Sequence, residues 1–188
     1  MWGWVKIRFE NYGINEKVKY IPMPRSDQGT TRDRYMLIPR TLVFLRRKDS
    51  YLLIKGAPNK RLWAGKYNGI GGHVERGEGV LSAAKRELVE EAGLEADLWL
   101  CGTVIVDAGE IGICLYIFSG ESFGGEPKPS NEGAVEWVRY EAVGEGFPVV
   151  EDLPILLSKV HSMKRGHPPF SARSYYDKEE KLKVEFEN

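Results

Sequence analysis

Gly72-His73-Val74-Glu75-Arg76-Gly77-Glu78 is followed, after the seven residues from Gly79 to Lys85, by Arg86-Glu87-Leu88-Val89-Glu90-Glu91-Ala92-Gly93-Leu94. The spacing predicts a helix over 79–92. Gly93 stands where a left-handed residue ends an α-helix, and Leu94 can supply the apolar contact that accompanies such a cap. At 100° per residue, Glu87, Glu90 and Glu91 fall within about 100° of one another. Leu81, Ala84, Leu88 and Ala92 form a separate stripe roughly 90° away, able to dock on a sheet while the acids face outward. Ala83 falls on the side of Glu87, where a methyl group leaves room for a ligand. Three like charges on one face repel by some tenths of a kcal/mol per pair and need a countercharge. A hard divalent cation can provide it, and Mg²⁺ in particular is held by a few carboxylate oxygens together with substrate phosphates. A solvated acidic face with Lys85 and Arg86 as partners can provide it too. The three glutamates alone leave both open.

Working outward, Asn68-Gly69-Ile70-Gly71-Gly72 precedes the acids, and its glycines permit close backbone approach to a ligand. Thr41 to Leu45 and Tyr51 to Lys55 are strand candidates around the charged turn Arg46-Arg47-Lys48-Asp49-Ser50. Downstream, Leu98 to Val106, Ile113 to Phe118 and Val135 to Arg139 read as further strands. Leu153, Leu156, Leu157, Val160 and Met163 mark a second helix, with Asp152 as N-cap and Pro154 in its first turn. Ala172 to Tyr176 and Leu182 to Phe186 form a closing hairpin. At the other end, Trp4 to Phe9 and Val18 to Ile21 predict an appended hairpin, and Pro22 to Asp33 a linker. The expected division is therefore an N-terminal extension, residues 1–39, and a main domain, residues 40–188.

With 188 residues, 42% of them apolar, the chain can bury a core of its own, and no apolar run approaches the ~18 residues of a membrane span. Lys plus Arg equal Asp plus Glu at 27 each, so no overall basic field suggests a nucleic-acid polymer or an anionic membrane as partner. Locally the balance is uneven. Arg34 to Ile70 carries nine basic residues against Asp49 alone, whereas Gly71 to Glu91 carries five Glu against three basic residues. A basic approach to an acidic site suits a small polyanionic substrate. Cys101 and Cys114, with twelve residues between them and in strand-like surroundings, read as free thiols. With no secretory pattern at the N-terminus, a cytoplasmic location is expected. Nothing in the sequence specifies an oligomeric state.

Gly, five residues, Glu, seven residues, then Arg-Glu-aliphatic-x-Glu-Glu-x-Gly-aliphatic is the pattern of the Nudix box, and Gly72 to Leu94 matches every specified position. An accidental match in a chain of this length has a probability on the order of one in ten million. The protein resembles a Nudix hydrolase. The resemblance implies an α+β fold, an α/β/α sandwich on a central mixed β-sheet, and hydrolysis of a nucleoside diphosphate linked to another group with Mg²⁺ or Mn²⁺. It further implies that Glu90 and Glu91 ligate metal, that Glu87 ligates metal or activates water, and that the Gly72 carbonyl is a further ligand. Arg86 and Glu78 resemble the pair that braces the box.

The likeness extends to MutT-like 8-oxo-dGTP diphosphatases. It runs through Thr41 to Lys55, Lys66 to Gly72, Tyr116-Ile117-Phe118, Gly124-Gly125-Glu126-Pro127, Ser130-Asn131-Glu132, Trp137 and Pro154 to Leu157. It implies that Asn68 hydrogen-bonds a purine and that Glu132 is an acid near the metals. Gly71 and Asp152 complete the substrate-binding candidates. Glu151-Asp152 lies too close to Pro154 to align without a gap with the acid pair that reads the base. Tyr67 stands where the animal enzymes carry Trp, and His73 reads as structural. The expected reaction converts a purine nucleoside triphosphate, oxidised purines included, to monophosphate and pyrophosphate. ADP-ribose or dinucleoside polyphosphate hydrolysis and a catalytically silent nucleotide sensor are the alternatives. Gly109 to Gly112 lacks the Pro and Tyr expected of the first two, and the intact acids argue against the third.

Overall fold

The computed structural model describes residues 28–31, 33–58, 63–122, 124–128, 130, 133–144 and 146–187. The expected N-terminal hairpin and Glu132 lie outside them. Eight strands and two α-helices follow: β1 Met36–Arg47, β2 Ser50–Gly56, β3 Tyr67–Asn68, α1 Val80–Ala92, β4 Trp99–Val106, β5 Ile111–Glu121, β6 Gly133–Arg139, α2 Leu153–His161, β7 Phe170–Tyr176 and β8 Leu182–Phe186. The sheet order is β3-β2-β1-β5-β4-β7-β8, with β6 also paired to β2. β1 with β5 and β4 with β7 are parallel and the other pairs antiparallel, so the sheet is mixed. Among the described residues no helix is long and apolar enough to cross a membrane.

β1 and β2 explain why this is a sandwich. A strand presents successive side chains to opposite faces, and here both faces are buried. Val43, Leu45, Leu52 and Ile54 pack with Ala84, Leu88 and Ala92 of α1. Their neighbours Leu42, Phe44, Tyr51 and Leu53 pack on the other face with Leu153, Leu156, Leu157 and Val160 of α2. The result is the expected α+β sandwich, a helix on each side of a mixed sheet. β1 begins at Met36 rather than Thr41, because Met36 to Arg40 continue the parallel register with Ile111 to Leu115. Pro39 inside that segment reads locally as a breaker.

α1 ends as expected, with Gly93 at φ 65°, its N–H donating to the Val89 carbonyl at 2.9 Å and the Leu94 N–H to the Leu88 carbonyl at 3.5 Å. Its rotation differs from the expectation. Ala83, Ala84, Leu88, Glu91 and Ala92 are the buried positions, and Leu81 is 41% exposed. At 100° per residue this arc is centred near Glu91, so the helix turns its acids partly toward the sheet. Ala83 is therefore covered by protein and leaves no space for a ligand. Asp152 occupies the N-cap position of α2 but makes no side-chain capping bond. Cys101 is buried, Cys114 half-buried, and both are free thiols. Burial pushes the Cys101 thiol up to about 12.

Candidate active site

The glycine-rich stretch after β3 runs alongside β1. Val43 and Ile70 exchange backbone bonds of 2.7 and 3.2 Å, and the Thr41 N–H donates to the Gly72 carbonyl at 2.9 Å. Gly71 has φ 155°, and a Cβ there would overlap the Thr41 carbonyl, so only glycine fits this approach. A Cβ on Gly72 would overlap the Glu87 carboxylate. The two glycines thus let the strand-side backbone meet the acids of α1 directly.

Those acids are held individually. Glu91 is 7% exposed, and its Oε2 accepts the Gly71 N–H at 3.0 Å, the kind of bond a buried carboxylate requires. Arg86 supplies the countercharge that the helix face needs. Its Nη1 donates to Glu87 Oε1 at 2.8 Å and to Glu90 Oε2 at 2.9 Å. Its Nε and Nη2 clamp Glu78 at 3.0 and 3.1 Å, and Nη2 also donates to the His73 carbonyl at 3.0 Å. The Arg86 guanidinium holds the Glu78 carboxyl below the usual carboxylate range, with the Glu75 N–H adding to the effect. In return Glu78, then Glu87, push Arg86 further up.

A cavity of about 510 Å³ opens beside this cluster. Gly71, Gly72, Glu87, Glu90 and Glu91 line it, and so do Asn68 and Asp152 from distant parts of the chain. Arg86 and Glu78 do not line it, which fits a brace rather than a substrate contact. Leu42, Val106, Ile113 and Leu115 from β1, β4 and β5 give it an apolar wall. Asn68 Oδ1 accepts the Gly69 N–H at 2.8 Å, so this side chain shapes the turn as well as facing the cavity. Burial, reinforced by neighbouring Glu151, pushes the Asp152 carboxyl up. Tyr67 belongs to the core instead, stacked on Phe147 at 5.0 Å with its hydroxyl donating to Glu136 at 2.9 Å.

Arg40, Thr41 and Trp63 also line the cavity, although the sequence did not single them out. Thr41 is 2% exposed, and its Oγ1 has no hydrogen-bond partner among the described residues. Arg40, a cation beside the acids of the lining, donates from Nε to His73 Nε2 at 3.2 Å. His73 itself lines the cavity, beyond the structural role expected of it. Both contacts arise because β1 starts five residues before the expected strand and lays Arg40 opposite His73.

The donor set near Gly72 consists of carboxylate oxygens and backbone carbonyls, the chemistry of a hard divalent cation. Glu87 and Glu90 are engaged by Arg86, Glu91 by the Gly71 N–H and the Gly72 carbonyl by Thr41. No group of three acids, imidazoles or thiols converges in ligating geometry among the described residues. The oxygens are gathered, and a cation would exchange some of these partners for itself.

Comparison with known proteins identifies the family. The chain is 34% identical over 125 residues to the oxidized purine nucleoside triphosphate hydrolase of Danio rerio, covering 63% of this chain and 79% of that one. To the Mus musculus protein of the same name it is 35% identical over 126 residues, with the same coverage. A solved MutT protein from Bacillus halodurans superposes with a TM-score of 0.66 at 25% identity, covering 80% of this chain and 98% of that one. The NUDIX domain model matches residues 36–157, which takes in β1, the glycine approach, the whole acidic box and the start of α2, and on that match the chain belongs to the Nudix hydrolase family.

Proposed function

We propose that this protein hydrolyses an oxidised purine nucleoside triphosphate, such as 8-oxo-dGTP, to the monophosphate and pyrophosphate, using Mg²⁺ or, in its place, Mn²⁺. One observation carries this reading: a single cavity is lined by the box acids and by Asn68 and Asp152, a pair able to donate and accept along a purine edge. The names of the fish and mouse relatives support the same substrate class.

In this reading Glu90, Glu91 and the Gly72 carbonyl hold the cation, with Glu132 contributing as the family resemblance implies. Bound there, it would neutralise the phosphates and lower the pKa of an attacking water. Glu87, close to Gly72 and tethered by Arg86, would ligate the cation or take the proton from that water. Glu78 fixes Arg86, and Arg86 fixes Glu87 and Glu90, so the brace acts through orientation. Asn68 and Asp152 orient the base, and the backbone at Gly71 approaches the substrate closely. The apolar wall keeps water from the base.

A screen with Mg²⁺ that follows pyrophosphate release from 8-oxo-dGTP, dGTP, dATP and dCTP, and nucleoside monophosphate formation from these, from ADP-ribose and from a dinucleoside polyphosphate, tests the proposal. The expected result is fastest release from the oxidised purine triphosphate. Preference for ADP-ribose, or no turnover of any compound, would overturn it.

A further inference from the structure

Three non-glycine residues among those described adopt positive φ: Lys48, Trp63 and Glu180. Lys48 and Glu180 sit in the tight connections β1–β2 and β7–β8, where hairpin turns demand such angles. Trp63, at φ 58°, lies in the longer connection between β2 and β3, and a bulky aromatic is among the least tolerant residues of the left-handed region. Its neighbours hold it there. Lys66 N–H donates to the Trp63 carbonyl at 3.0 Å, Gly65 N–H to Gly56 at 2.9 Å and Gly56 N–H to Lys66 at 3.0 Å. Gly56 has no room for a side chain because a Cβ would overlap the Trp63 carbonyl.

Packing does not account for the indole. Trp99 and Trp137 pack against the two cores, whereas Trp63 belongs to neither and is 45% exposed. It borders the same cavity as Asn68 and Asp152. A strained backbone that is locked by its surroundings, and that presents an apolar ring to a polar-edged cavity instead of a core, is the signature of a ligand contact.

We propose that Trp63 is a stacking platform for the nucleobase, its indole face taking the π-face of the purine while Asn68 and Asp152 take its edge. The inference rests on the purine nucleotide reading of the cavity. It adds a contact that recognises the aromatic ring rather than its hydrogen-bonding groups, and so explains how a base is retained before its edge is read.

Trp63→Gly removes the ring and is relaxed at this φ, and Trp63→Phe keeps an aromatic face. Calorimetric titration of each with 8-oxo-dGMP and with inorganic pyrophosphate, alongside kcat/KM for 8-oxo-dGTP, tests the proposal. Base–aromatic stacking predicts about a ten- to hundredfold weaker Kd for 8-oxo-dGMP in Trp63→Gly, and a loss under about fivefold in Trp63→Phe. Pyrophosphate binding and Tm should stay within error of wild type. Quenching of tryptophan fluorescence by 8-oxo-dGMP should shrink in Trp63→Gly. Unchanged nucleotide affinity, or equal loss for nucleotide and pyrophosphate, overturns the stacking role. A wild type that binds 8-oxo-dGMP through Trp63 yet releases no pyrophosphate from any triphosphate would overturn the hydrolytic reading and leave the platform standing.

Discussion

Glu91 is the box acid whose structural and chemical roles can be separated most cleanly. It is 7% exposed, and Oε2 accepts the Gly71 N–H at 3.0 Å. Glu91→Ala removes that acceptor and leaves the half-buried Gly71 N–H without it. A hydrogen bond to a charged group contributes about 1.5–3 kcal/mol net, which in a domain of this size corresponds to a fall in Tm of roughly 3–12 °C. Glu91→Gln keeps an oxygen in the same place, so its Tm should fall by under about 3 °C, corresponding to less than about 1 kcal/mol. Catalysis should not follow stability. If Glu91 ligates the cation, the neutral amide removes several kcal/mol of transition-state stabilisation, and kcat should fall about a thousandfold in both variants. Thermal unfolding and pyrophosphate release, each over a Mg²⁺ titration, provide the two readouts. Wild-type turnover of Glu91→Gln at low Mg²⁺ would refute the metal role, and equal Tm values for the two variants would refute the assignment of the Gly71 contact.

Arg86→Ala should lower both kcat and Mn²⁺ affinity about 10- to 100-fold although neither Arg86 nor Glu78 lines the cavity, and unchanged Mn²⁺ titration would sink the brace. Because folding lowers the Glu78 pKa, the stability that Arg86 gains from it is present above the ordinary carboxylate value and lost as pH falls through the lowered one. The Tm gap between wild type and Arg86→Ala should narrow in that window. Asp152 has the opposite sign: its raised pKa makes the folded state the tighter proton binder, so its contribution falls as pH rises through the raised value. Asp152→Asn should therefore raise Tm at about pH 7 and lose that advantage at about pH 4; the same gain at both would show that its charge is not the cause. Asn68→Asp keeps the acceptor for the Gly69 N–H but loses the amide donor, so kcat/KM for the preferred purine should fall by about 1–3 kcal/mol with Tm unchanged; equal losses for dCTP would make Asn68 a loop residue only. Gly72→Ala places a methyl against the Glu87 carboxylate and should reduce kcat without unfolding the protein, with retained activity showing that Glu87 can move freely.

Chemistry that depends on neighbours in sequence was legible without the fold. The spacing of Gly72, Glu78, Arg86, Glu87, Glu90 and Glu91 places the acids on one helix face and an arginine beside them, and Gly93 ends the helix where a residue free to adopt φ 65° must stand. The alternation and turn chemistry of β1, β2, β7 and β8 likewise follow from local preference. Tertiary contacts decided the rest. How far α1 rolls on the sheet depends on what it packs against, so its periodicity could not reveal that Glu91 is buried and Leu81 exposed. Whether Pro39 breaks a strand depends on a partner 75 residues away, Cys114, whose parallel register carries β1 back to Met36 and brings Arg40 to His73. Asp152, a helix cap by its position in the chain, faces the same cavity as Asn68 because the segment just before α2 pairs with β3 through Tyr67 and Val149. Covalent spacing sets the local geometry of the reacting groups, and packing across the sheet decides which distant side chains share a cavity with them.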